Sequence, residues 1–137
     1  MARGRPDYDV WSAPTRPTPA LGLDLFSFDF TIPPNTPETS AITLDLILEE
    51  GTVNKVQIII PPGHAGLAGL QILKNDEAVI PKSGYLKGNN DNLLFDSDIK
   101  IPQDSTTQEY KLIAKGYNND DTYEHTFYVR LWVLKGV

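Results

Sequence analysis

Apolar residues recur at every second position along most of this chain, and the clearest run is the last. From Tyr123 to Leu134, His125, Phe127, Val129, Leu131 and Val133 alternate with Thr126, Tyr128, Arg130, Trp132 and Leu134. Side chains on a strand point to opposite faces with a period of two, so this run is a strand with one apolar face. Its other face carries Tyr128, Trp132 and Leu134, which are costly to leave in water and call for a cover. Upstream, Phe26, Phe28, Phe30 and Ile32 alternate with Ser27, Asp29 and Thr31 within a strand expected over Leu21–Ile32. The phase slips between Leu25 and Phe26, which predicts a bulge or a change of face. Pro33, Pro34 and Pro37 end that strand, because proline cannot donate to a ladder.

Further strands are predicted over Ala41–Leu48, Val53–Ile60, Leu67–Leu73, Ala78–Ile80, Leu93–Ile101 and Gln108–Tyr117. Glu49-Glu50-Gly51-Thr52 separates the first two of these, and they are expected to form a hairpin. Turn chemistry recurs roughly every 8–12 residues and no stretch holds a helical period, so the expectation is an all-β, antiparallel β-sandwich of about eight strands. A jelly roll is the first choice of topology and an immunoglobulin-like sandwich the second. Residues 1–20 differ: Pro6, Pro14, Pro17 and Pro19, with Arg3, Arg5 and Arg16, read as an extended Pro/Arg-rich N-terminal arm ahead of a sandwich domain over 21–137. The segment reads either as a disordered tail or, because Tyr8, Val10 and Trp11 are poor solvent-facing residues, as an arm that folds onto a neighbouring subunit.

Composition narrows the function. At 137 residues with 40% hydrophobic content, the chain is one domain able to bury roughly two-thirds of its unfolded surface. A formal charge of −6 argues against a sequence-independent nucleic-acid binder, which needs a surplus of Lys and Arg. Without cysteine there are no disulfides, thiolate metal sites or thiol nucleophiles. No run approaches the ~18 apolar residues of a membrane helix. The first residues carry positive charge but no apolar region behind it, so no signal peptide is expected and manufacture in a cytoplasm is.

The candidate chemistry is sparse. Gly-x-Ser-x-Gly, a phosphate loop and His-Glu-x-x-His are all missing from the sequence. His64 follows Pro61-Pro62-Gly63 in a loop, where Gly63 and Gly66 suit a tight connection as well as a ligand, and His125 faces inward as a structural histidine would. Asn89, Asn90, Asp91 and Asn92, and again Asn118, Asn119, Asp120 and Asp121, are oxygen-rich clusters that could attract calcium. Such residues also dominate turns, which is the reading preferred here. Asp96 and Asp98 lie on one strand face roughly 7 Å apart, a spacing that invites a glycosidase reading, but a sandwich this small leaves little room for a sugar cleft. No enzyme activity, metal or cofactor is expected. The aromatic residues Tyr85, Tyr117, Tyr123, Tyr128 and Trp132 suggest either a sugar-stacking platform or buried anchors of a subunit interface, and mid-strand Tyr128 and Trp132 beside Leu134 favour the interface.

Two segments carry a resemblance. Ile58-Ile59-Ile60-Pro61-Pro62-Gly63-His64-Ala65-Gly66-Leu67-Ala68-Gly69-Leu70-Gln71-Ile72, and the closing Tyr117-Asn118-Asn119-Asp120-Asp121-Thr122-Tyr123-Glu124-His125-Thr126-Phe127-Tyr128-Val129-Arg130, resemble small β-sandwich virion structural proteins of tailed bacteriophages and related prokaryotic viruses. The likeness spans roughly a quarter of the chain. It implies a non-enzymatic structural protein acting by assembly, capsid-associated as a decoration or minor capsid protein, without cofactor. The expected partners are other virion proteins, the major capsid protein foremost, and further copies of the chain, with a trimer expected because capsids offer local three-fold positions. No nucleic acid or membrane partner is expected, and the place of action would be the virion, assembled in the host cytoplasm. The interface would use Arg3, Arg5, Tyr8 and Trp11 from the arm and Tyr128, Trp132 and Leu134 from the last strand. The alternative is a carbohydrate-binding or host-attachment module with Tyr85, Tyr117 and Tyr123 as stacking residues.

Overall fold

A computed structural model describes residues 22–136. The expected arm, with Arg3, Arg5, Tyr8 and Trp11, lies outside the described residues. Eight strands follow in order: β1 (Leu23–Ile32), β2 (Ile42–Ile47), β3 (Gly51–Ile60), β4 (Ala68–Lys74), β5 (Glu77–Ile80), β6 (Asp91–Lys100), β7 (Lys111–Asn118) and β8 (His125–Lys135). They form two four-stranded antiparallel sheets, ordered β1-β8-β3-β6 and β2-β7-β4-β5. The chain pairs β1 with β8, β2 with β7, β3 with β6 and β4 with β5, as if a long antiparallel ribbon had been rolled up. That nesting is the jelly roll, and it sets aside the immunoglobulin-like alternative.

Alternation explains the core directly. Phe30, Ile32, Val56, Ile58, Ile60, Phe127, Val129, Leu131 and Val133 project from the first sheet, and Leu46, Leu70, Ile72, Leu112 and Ala114 from the second. All are buried, and partly buried Phe26 and Phe28 pack against them. Neighbouring strands bring these residues side by side, as in the row Phe26, Leu131, Val56 and Phe95 across the whole first sheet.

One expectation needs correction, and one alternative is decided. The hairpin between β2 and β3 does not form, because the two strands belong to different sheets. Residues 48–50 carry the chain over the end of the sandwich, and Gly51 then packs against the Leu134 carbonyl too closely for any side chain. Each strand has an apolar face and both faces meet the same core from opposite sides, so alternation looks the same for a hairpin and for a corner. Of the two readings of the phase slip near Leu25, no bulge forms in β1, whose register with β8 runs unbroken from Leu23 opposite Leu134 to Ile32 opposite His125. The phase slip reflects a change of face instead: Leu23 and Leu25 point outward, 50% and 54% exposed. The bulge of this sheet sits in β3, between Val53 and Lys55.

Candidate functional site

The outer face of the first sheet is built from the residues that alternate with its core. Antiparallel pairing sets Leu23 beside Leu134, Leu25 beside Trp132 and then Lys55, Ser27 beside Arg130 and then Gln57, and Asp29 beside Tyr128 and then Ile59. Pairs of this kind stand about 5 Å apart at Cβ, close enough for Trp132 and Leu25 to share one apolar patch. Tyr128, Trp132 and Leu134 are each half-buried by these flanking strands, whereas Leu94 on β6 is 59% exposed. A shallow hollow of about 580 Å³ runs across this face, lined by Leu23, Asn54, Lys55, Gln57, Leu94 and Trp132. Beyond it the face turns polar, with the Arg130 guanidinium donating to the Gln57 Oε1 at 3.4 Å and the Gln57 amide donating to Asn92 Oδ1 at 2.9 Å. The patch therefore has the make-up of a contact surface, apolar at its centre and hydrogen-bonding at its margin. Leu23, Leu25, Ile59 and Leu94 join it only through the fold. The outward phase of Leu23 and Leu25 was the signal that could have found two of them.

One end of the sandwich carries a second assembly of functional-looking groups. His64, in the loop after β3, and His125, at the start of β8, lie with ring centroids 4.5 Å apart, and Phe127 closes the other side of His64 edge-on at 4.9 Å. His64 is 1% exposed. Its Nε2 donates to the Thr126 carbonyl at 3.1 Å, which leaves Nδ1 as an acceptor buried without a partner. His125 Nε2 lies 2.9 Å from Asp120 Oδ2. Burial, and secondarily the neighbouring His125, hold His64 below the ordinary histidine range. The Thr122 amide, then the His125 side chain, hold Asp120 below the ordinary carboxylate range. Sequence separation hid this cluster, since 60 residues lie between the two histidines and no motif links them.

The oxygen-rich loops spend their oxygens on backbone amides. Asn89 Oδ1 accepts from Gly63 and Ala65. Asp120 Oδ1 accepts from Thr122 and Tyr123, and Asn118 donates its buried amide to the carbonyls of Ile32 and Tyr123. These bonds are turn chemistry, and they tie three loops into one rigid end. Among the described residues no group of three His, Cys, Asp or Glu is placed to hold a metal ion. The tyrosines proposed for sugar stacking part company. Tyr117 is 2% exposed beneath Tyr85, which meets it edge-on at 4.9 Å, and Tyr123 stands 68% exposed in the loop before β8. The Tyr117 ring lies directly over Gly69, where a Cβ would fall inside it. Asp96 and Asp98 are exposed on the outer side of β6.

No protein-family model matches this sequence, and no curated protein is found to be similar to it.

Proposed function

We infer that this chain is a non-enzymatic structural protein that works by assembly, as a capsid-associated decoration or minor capsid protein of a virus. The observation that carries the reading is the apolar outer face of the sheet β1-β8-β3-β6. Leu23, Leu25, Trp132, Leu134 and Leu94 crowd one side of a rigid sheet whose other side already fills the core. Monomeric proteins rarely leave such a cluster in water, and a large aromatic ring flanked by leucines is the usual anchor of a protein contact. The eight-stranded jelly roll and the two virion-like segments support the same reading. The two segments meet at one end of the sandwich, where His64 packs against His125 and donates to the Thr126 carbonyl.

In this reading Tyr128, Trp132 and Leu134 meet either further copies of the chain, as a closed trimer, or the major capsid protein, on a virion assembled in the host cytoplasm. Light scattering on the full chain gives the test. The wild-type chain is expected to form a closed oligomer or to bind particles, and Trp132→Glu is expected to abolish either behaviour, since a carboxylate cannot enter a dry contact unpaired. A Trp132→Glu chain that keeps both would overturn the reading. Glycan binding lost in Tyr123→Ala would replace it with an attachment module.

A further inference from the structure

Each sheet ends in two edge strands, β1 and β6 in the first and β2 and β5 in the second. An edge strand leaves backbone N–H and C=O groups along one side open to pairing with another chain, and folded proteins usually blunt such edges. Three of these four are blunted. Strands β2 and β5 are short, at six and four residues. Strand β6 is long, but its outward row of Asn92, Leu94, Asp96, Asp98 and Lys100 carries two carboxylates and a lysine. Strand β1 has none of these guards. Its ten residues include no proline, lysine or arginine, and its register against β8 is free of bulges. Among the described residues it pairs with β8 alone.

The open edge also leaves apolar rings incompletely covered. Phe30 and Ile32 are buried, whereas Phe26 and Phe28 on the same inward row of β1 are only partly so. Ile42 and Leu44 on β2, which borders β1 from the other sheet, are partly buried as well. A strand added beside β1 would continue the row of rings and cover it.

The side chains identify the strand that fits. Two copies of β1 related by a two-fold axis normal to the sheet run antiparallel, and their outward residues meet outward residues. With Phe28 on the axis, Phe28 faces Phe28, Phe26 faces Phe30 on both sides of it, and Ser27 faces Asp29. Residues directly opposite stand about 5 Å apart at Cβ, where aromatic pairs and hydroxyl hydrogen bonds are stabilising. Asp29 of the second copy would enter a row that continues through Ser27 to Arg130 and Gln57. Its carboxylate meets a hydroxyl first and a guanidinium one strand further on. Sliding one strand by two residues sets Asp29 against Leu25 or against its own copy, so the match holds in a single register. Asp24, the other acid of β1, lies outside the paired stretch 25–31 and is held by Lys135 at 3.0 Å. A strand that complements itself in charge, hydrogen bonding and ring contacts is fitted to a second copy of this chain. We propose that β1 pairs antiparallel with β1 of a second copy, with Phe28 on the two-fold axis and Ser27 opposite Asp29.

The chain has no cysteine, so an introduced thiol is the only one present. In full-length Ser27→Cys the two thiols lie diagonally across the axis, about 7–8 Å apart at Cβ. A short bismaleimide should join these chains into a dimer at a yield well above that of Asp98→Cys on β6. Equal yields would overturn the proposal, including the case in which the chain's own residues 1–21 cover β1. Charge exchange gives a readout free of cross-linker. Ser27→Asp sets carboxylate against carboxylate on both sides of the axis, and the dimer dissociation constant in sedimentation should rise about 2–30-fold. Beside Arg130 in its own sheet the new carboxylate has a cation, so the thermal unfolding of the monomer should not suffer. Adding Asp29→Lys to Ser27→Asp should restore dimerisation. A constant unmoved by Ser27→Asp, or a double variant that fails to recover, would overturn the register. This contact stands apart from the outer-face reading, because it leaves Trp132 uncovered. A two-fold dimer that survives Trp132→Glu is the β1 contact, while a trimer or particle binding lost with Trp132→Glu is the outer-face contact.

Discussion

The two faces of β8 are made of similar residues and meet different fates. On the inner face Phe127, Val129, Leu131 and Val133 are fully buried, because the second sheet supplies a matching apolar surface. On the outer face Tyr128, Trp132 and Leu134 are covered only by their strand neighbours, and Leu25 and Leu23 beside them are half exposed. Apolar area is stabilising only when something removes it from water, so the inner residues contribute to folding and the outer ones contribute less. A second sheet finished one face. Nothing among the described residues covers the other in the same way.

This contrast can be broken by substitution. Phe127→Ala removes a fully buried ring that also supports His64, and it should destabilise the fold by about 3–5 kcal/mol in denaturant titration, enough to unfold much of the population at physiological temperature. Should the loss stay near that of a surface substitution, the inner face is not the core. Next in size is Asn118→Ala. It strands the carbonyls of Ile32 and Tyr123 and frees the amide of Asp120, at a cost of about 1–3 kcal/mol by the same measurement.

The histidine pair sharpens the comparison through pH. His64 is held below its ordinary value of 6.5, so the unfolded chain accepts a proton as pH falls through 6.5 and the folded chain resists it. Stability should therefore fall on acidification below about pH 6.5. Asp120 acts in the same direction at lower pH: its contribution is complete above its ordinary 3.8 and is lost as pH falls below that. Melting temperature measured from pH 8 to pH 5 should drop for the wild type and much less for His64→Phe. An equal drop in both would remove His64 from the account. The smallest effect on stability belongs to the outer face, where Trp132→Glu should shift unfolding by no more than about 1 kcal/mol while acting strongly on association. A loss comparable to that of Phe127→Ala would make Trp132 a core residue and erase the difference between the faces.

The hairpin that did not form shows how far pattern reading extends. Ile42, Leu44 and Leu46 in β2 and Val56, Ile58 and Ile60 in β3 alternate as a hairpin would, yet the strands face each other across the core. His64 and His125 were each read correctly as loop and strand residues, but their contact depends on two loops meeting at one end of the roll. Tyr117 was misplaced as a surface ring because a tyrosine at a strand end looks alike whether the neighbouring loop covers it or not. Here Tyr85 does cover it.

What the sequence by itself determined is the local physics. Period-two alternation defines strands and their faces, proline and Asn–Asp clusters end them, and excess apolar residues on β8 mark a second face in need of cover. These depend on neighbours along the chain and can be read without knowing the fold. Tertiary structure alone decided which strands pair, so it alone put Leu25 beside Trp132 and His64 against His125. Pairing is set by contacts between segments tens of residues apart, and alternation has the same form in either sheet.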